Sequence, residues 1–383
     1  MSLAYTSWTA MPYAPLATVK QRLSVGAPLP CSVYDGDQTL LLARGQTIGT
    51  LDQMDALFER GALVDITELQ SPLERVLHAP REALPRLWGE GLGRVNQALM
   101  HAPIHGFTVA LDDASGLVLG LVERDPDLAI FQVLRQEGGA DVEYGVRRSV
   151  HTAIIGYLVA QRLAWDPEEM NKVFKIALTM NLSMLALQGQ LARQRCPLTA
   201  EQRADLVSHP LRSVELLLTA GIRDDDWLQA VARHHEMEDG SGYPTGRGDV
   251  GELASLVRRA DVYSSKLSSR SHRDALAADQ AGRQMFMQDP GHPMTAALVK
   301  EFGIYPPGCH VRLESGAVGI VVQRGPTVTT PIVACLTNPR GGPLPVPQRV
   351  DTSLPKNAVK GVVGEAAAPV RVSIDKLISL TVG

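Results

Sequence analysis

The chain has few cysteines and no cysteine pair. Cys31, Cys196, Cys309 and Cys335 are scattered through 383 residues without CxxC spacing. That spacing excludes a cysteine zinc site and fits reduced thiols in a cytoplasm rather than a disulfide framework. No stretch reaches the length of uncharged apolar sequence that a membrane span needs. The opening residues, MSLAYTSWTAMPYAP, lack a basic region followed by a long apolar run, so no signal peptide is predicted. Neither sign of charge dominates: 37 Lys and Arg against 41 Asp and Glu leave a net charge of -4. Nothing in that balance calls for DNA or RNA as a partner. Internal repeats and low-complexity tracts are also missing. The run Glu90-Gly-Leu-Gly-Arg-Val follows no predicted strand, which excludes a dinucleotide-binding loop. What remains is an ordinary globular composition, 45% hydrophobic and 20% charged, in a chain long enough for two or three domains.

The periodicity divides the chain. Residues 1 to about 20 carry prolines and small residues without a period and read as a lead-in. Short strands follow at 29–34 and 39–43 around a turn at 35–37, then a helix capped by Thr50 and ended at Gly61. This predicts a small β-rich N-terminal domain over residues 1–70. It resembles the PilZ-like modules that precede signalling domains, but Arg44 and Arg60 stand alone and form no nucleotide-binding cluster. From Leu73 the pattern is helical, with a connector over 71–142. Pro72 opens one of its helices, Asp125 caps another over 128–135, and Gly138 and Gly139 break it.

A helical domain is predicted over 143–300. Val150, Ile154, Ile155, Leu158 and Val159 form an apolar stripe, with His151 on the same face. His151 reads either as a satisfied core histidine or as a ligand. A helix over 168–187 carries Met180, Asn181 and Met184. Thr199 and Gln202 have the spacing of a capping box. Pro210, directly after His209, should kink or restart that helix. Asp224 starts the helix that delivers His234 and His235, and a helix over 253–267 carries Asp261. Beyond Pro306-Pro307-Gly308, short β-type runs at 311–313, 317–322, 332–336 and 370–373 predict a small β-barrel-like domain over 301–383.

The densest stretch is HHEMEDGSGYP, from His234 to Pro244. Vicinal histidines leaving a helix into a glycine-rich turn can serve a metal or a phosphate. Asp239, Gly240, Gly242, Tyr243 and Pro244 form the turn. The stretch resembles the name-giving loop of the HD-GYP family, a branch of the HD phosphohydrolases whose usual substrate is cyclic di-GMP. The resemblance covers roughly residues 145–275. It implies metal ligands at His151, His209, His234, His235 and Asp261, and a phosphate contact at Arg270, with Arg258 and Arg259 lining the cleft. With the strand patterns toward both ends, the expected fold is mainly α: a helical HD-type bundle, as the resemblance implies, flanked by small β-rich N- and C-terminal domains.

The family's His-Asp pair is missing. Counting back from Thr199, its HD-x-GK pattern falls on Met180, Asn181 and Met184. In the family that aspartate bridges two metal ions and offsets their repulsion. Asn181 is neutral, and the Met180 thioether is a poor ligand for Mn, Mg or Fe(II). Two adjacent dications without a bridging anion repel by several kcal/mol. At most one divalent ion is therefore expected, Fe, Mn or Zn, held by His209, His234 and His235. The other outcome is no ion, with these histidines hydrogen-bonded to Glu236, Asp239 or Asp261. The resemblance then implies a cytoplasmic, bacterial-type signalling protein that is degenerate at its catalytic centre. It would bind cyclic di-GMP or a related cyclic dinucleotide, or a diguanylate cyclase domain through the GYP loop, and neither nucleic acid nor membrane. Two alternatives stay open: an active phosphodiesterase with a mononuclear or rebuilt site, and a purely structural scaffold.

Overall fold

A computed structural model describes residues 13–364, apart from residues 70, 103–105, 136–141 and 272. The expected break at Gly138 and Gly139 and the strand at 370–373 lie outside the described residues, as does most of the lead-in. The described residues are mainly helical, with one small antiparallel sheet toward each end. The chain divides into two compact units, residues 1–78 and 79–383.

In the first unit, β1 (Tyr13–Pro15), β2 (Val33–Tyr34), β3 (Leu40–Leu42) and β4 (Leu63–Asp65) pair in the order β1-β4-β2-β3. Helix α1 (Leu51–Glu59) precedes β4, and the Thr50 hydroxyl accepts from the Gln53 amide, as the cap requires. Leu16, Cys31, Val33, Ile48 and Val64 form its core. Helix α2 (Pro72–His78) closes the unit.

The second unit begins with α3 (Leu84–Met100), α4 (Phe107–Arg124) and α5 (Pro126–Leu134). The Gly-Leu-Gly run lies inside α3 and is no loop. Asp125 caps α5 by accepting from the Leu128 amide at 2.9 Å. Helix α6 (Val142–Arg162) then runs through the middle and packs on α7 (Pro167–Thr179), α8 (Leu185–Arg193) and α11 (Glu252–Leu267). Between α8 and α11 come α9 (Ala200–Thr219) and α10 (Asp225–Arg233); α12 (Ala278–Gln288) and α13 (Pro293–Phe302) follow.

Two expectations differ from this. The single helix over 168–187 is broken. Helix α7 ends at Thr179, a 3-10 turn spans Leu182–Met184, and α8 starts at Leu185. Side chains hold the break: Trp227 Nε1 donates to the Thr179 hydroxyl at 3.0 Å, and the Ser183 hydroxyl donates to the His209 carbonyl at 3.0 Å. Helix α9, by contrast, runs on through Pro210 without restarting. It opens on the expected capping box, with Thr199 and Gln202 each accepting from the other's amide at 3.1 Å.

After α13 the strands β5 (His310–Leu313), β6 (Val318–Gln323), β7 (Ile332–Thr337), β8 (Pro343–Asp351) and β9 (Val359–Val362) form one antiparallel sheet in the order β8-β7-β6-β5-β9. Arg324, at the end of β6, ties this sheet to the helices: it donates to Asp127 at the start of α5 and to Glu301 of α13.

Candidate metal centre

The site is made by a proline and a helix end. A helix carbonyl normally accepts from the amide four residues on. Pro210 has no amide hydrogen, so the Leu206 carbonyl is left without that donor. His209 Nδ1 takes it, at 2.6 Å. Helix α10 ends at Arg233, which leaves the carbonyls of its last turn without helical partners. His234 Nδ1 takes that of Val231, at 2.7 Å. A carbonyl only accepts, so in both rings the proton sits on Nδ1 and Nε2 carries a bare lone pair.

Those two lone pairs face each other. His209 Nε2 and His234 Nε2 are 3.1 Å apart with no acidic group between them. Two bare acceptors at that distance repel unless a cation or a proton lies between them. The proton is disfavoured, because burial, and then His234 beside His209 and His235 beside His234, push each pKa down to about 3. A tetrahedral ion with nitrogen ligands about 2.0–2.1 Å away would place them about 3.3 Å from each other. His235 completes the group: one ring nitrogen from each of the three histidines lies within 4.8 Å of the others. Burial, then His209 and Arg148, hold His235 neutral as well, with its pKa pushed down to about 3. Its ring stacks on Tyr243, with centroids 4.6 Å apart and 21° between planes. Three neutral imidazoles fit a divalent ion with water as the fourth ligand.

The other expected ligands stand outside this cluster. His151 is buried on α6 and its Nδ1 has no hydrogen-bond partner, while burial and then Arg147 and Arg148 push its pKa down to about 3. Asp261 borders the same cavity as His209 and His235, but its Oδ1 accepts from Arg148 Nη2 at 2.6 Å. Arg148 is a residue the sequence reading missed. An arginine three residues before a histidine on an apolar stripe gives no local sign that it points at a carboxylate 113 positions away.

The degenerate positions also separate. Met180 is fully buried and does not line the cavity, whereas Asn181 and Met184 do. Met180 and Met184 therefore do not share one helical face. Arg270 lines the cavity too, and its Nη2 donates to the Ser265 hydroxyl at 3.0 Å. The Arg258-Arg259 pair is used elsewhere. Arg259 is 2% exposed and its guanidinium meets Asp289 at 2.7 Å and Glu238 at 3.0 Å, so it faces no ligand. The cavity itself is small, about 120 Å³.

None of the three acidic partners considered for the histidines takes that part. Glu236 is fully buried and accepts four hydrogen bonds from the loop: the Thr245 amide at 2.7 Å, its hydroxyl at 2.6 Å, and the Gly246 and Arg247 amides at 3.0 and 3.1 Å. Burial works against its charge, yet these bonds hold its pKa below the usual carboxylate value. Asp239 closes a local turn on Ser241. Gly240 has φ +76°, and a Cβ on Gly242 would lie 2.5 Å from the backbone of residues 235–237, so the turn needs glycine at both positions. The loop folds back so closely that the Tyr243 amide donates to the His235 carbonyl at 3.2 Å.

Glu238 anchors the loop to α11. Burial raises its pKa, but the Ser255 hydroxyl and the guanidinium groups of Arg258 and Arg259 outweigh that and bring it down to about 2. A carboxylate whose folded pKa is depressed stabilises the fold fully above its unfolded pKa of about 4.3, and that stabilisation is lost as pH falls toward the folded value. The thermal midpoint should therefore drop between about pH 4.5 and 2, and Glu238→Gln should flatten part of the drop. An unchanged slope in Glu238→Gln would count against this pairing.

Comparison with known proteins gives a domain and two relatives. Residues 142–288 match the HD_5 family, described as an HD domain. The chain is 29% identical over 214 residues to cyclic di-GMP phosphodiesterase PA4108 of Pseudomonas aeruginosa, covering 54% of this chain and 51% of that protein. It is 32% identical over 136 residues to the cyclic di-GMP phosphodiesterase response regulator RpfG of Xanthomonas campestris, covering 34% of this chain and 35% of that one. The chain thus spans about half the length of the first relative and about a third of the second. Among solved structures, Bd1817, an HDGYP-type protein of Bdellovibrio bacteriovorus, matches with a TM-score of 0.49 at 16% identity, over 75% of this chain and 98% of that one. No described helix is long and apolar enough to cross a membrane.

Proposed function

We propose, for a chain that carries an HD domain over residues 142–288, a role in cyclic di-GMP signalling as a non-hydrolytic binding or regulatory protein with a single metal ion. The observation that carries the metal is the pair of bare Nε2 atoms 3.1 Å apart, each fixed by a carbonyl behind it. His209, His234 and His235 hold the ion, and an all-imidazole donor set suits Fe or Zn better than Mn. When bound, the ion supplies a positive charge for a phosphate oxygen.

Loss of hydrolysis rests on Asn181 and Met184, which put neutral groups on the cavity wall. The cavity is well below the 300–1,000 Å³ of typical small-molecule pockets. It can seat one phosphodiester, with the bases lying outside. Arg270 lines the cavity and is the residue we assign to that phosphate. Arg270→Ala should weaken cyclic di-GMP binding by about 1.5–3 kcal/mol, read by an isotherm on the full chain. Equal affinity in the variant would remove Arg270 from the binding site. The solvent-facing Asp239 and Ser241 put the GYP loop within reach of a protein partner such as a diguanylate cyclase domain.

Elemental analysis together with a cyclic di-GMP isotherm tests the reading: one ion per chain and measurable binding support it. Both relatives are cyclic di-GMP phosphodiesterases by name, which favours a second reading, hydrolysis at a mononuclear or rebuilt site. Turnover to the linear dinucleotide that disappears in His235→Ala would decide for that second reading.

A further inference from the structure

Arg148 is buried on α6, with its side chain 7% exposed. It lies on the wall of the cavity that His209, His235 and Asp261 border. Its Nη2 donates to Asp261 Oδ1 at 2.6 Å and approaches the Asp261 carbonyl at 3.4 Å, and its Nε has no partner. Asp261 is itself mostly buried, with 13% of its side chain exposed. The carboxylate that would otherwise face an ion is thus already held by a guanidinium. Asn181 and Met184, which line the same cavity, are neutral and cannot replace that carboxylate.

We propose that Arg148 is the second cation of this site: a fixed guanidinium on Asp261 that stands where a second metal ion would, and makes the centre mononuclear by construction. The inference deepens the three-histidine reading above and rests on it for the first ion. The charges explain the arrangement. A buried carboxylate needs a counter-charge. Arg148 supplies a single positive charge that cannot dissociate, and a dication at Asp261 would have to sit beside that charge.

The test is a charge cycle on the full chain, read as ion stoichiometry and as unfolding in urea, with Mn²⁺ or Zn²⁺ as the probe. The unmodified protein should hold one ion per chain however much metal is supplied. Arg148→Met leaves Asp261 buried without a counter-charge. Its unfolding constant should rise roughly hundredfold or more in chelator, and added Mn²⁺ should restore much of the loss as a second ion binds. Arg148→Lys keeps the charge and should keep one ion. Arg148→Met with Asp261→Asn removes both charges. It should recover most of the stability, still with one ion, which separates charge from packing.

Arg148→Met with unmodified stability in chelator and one ion per chain would overturn the proposal. So would a double variant as unstable as Arg148→Met. Failure of the three-histidine reading looks different: no ion in the unmodified chain, with the Arg148–Asp261 coupling in chelator still large.

Discussion

His234→Ala should empty the metal centre. The variant removes one of the three proposed ligands, the one whose Nε2 lies 3.1 Å from that of His209. Structural zinc sites with four ligands bind with about 10–16 kcal/mol, so one ligand is worth about 3 kcal/mol, more than a hundredfold in affinity. Elemental analysis after gel filtration should fall from one ion per chain to none, and the melting temperature should cease to respond to added Zn²⁺. His151→Ala is the contrast, since His151 lies outside the three-histidine cluster. Loss of the ion in His151→Ala and retention in His234→Ala would reverse the assignment.

Glu236→Gln should loosen the loop as strongly as any single change outside the histidines. The carboxylate accepts four donors from Thr245, Gly246 and Arg247. Glutamine offers one accepting oxygen and turns an NH₂ toward donors, so at least one loop amide loses its acceptor. The expected loss is about 2–4 kcal/mol, read from the urea midpoint. Arg247 is exposed, and its amide is one of the four. Trypsin should therefore cut there faster in the variant. Unchanged cleavage together with an unchanged midpoint would show that Glu236 does not hold the loop.

The histidine cluster was legible because it is local. His234, His235 and the GYP turn are adjacent in sequence, whereas His209 was picked out only by the family resemblance. Helix starts were legible for the same reason: the caps at Thr50, Asp125, Thr199 and Asp224 lie within three residues of the amides they satisfy. What sequence could not supply was direction. His151 and Arg148 lie three positions apart on α6, and only the packed helices decide that it is Arg148 that reaches Asp261. The break after Thr179 depends on Trp227, Ser213 and the His209 carbonyl, all contributed by distant segments. Strand β8 was hidden by Pro343, Pro345 and Pro347, which normally argue against a strand. It lies at the sheet edge, where a missing amide hydrogen can face away from the ladder.

The proline at 210 has a consequence for speed. By withholding its amide it commits the Leu206 carbonyl to His209, and the end of α10 commits the Val231 carbonyl to His234. Both rings are thus oriented and in one tautomer as soon as the helices have formed. Neither of these two rings has to shed a proton or turn when an ion arrives, because the entropy of orienting them is spent during folding. If the proposed ion binds here, its uptake should run close to the rate at which it sheds its own water and change little across neutral pH. Release should be the slower step, since neither ring can rotate off a bound ion unless a helix carbonyl gives up its hydrogen bond.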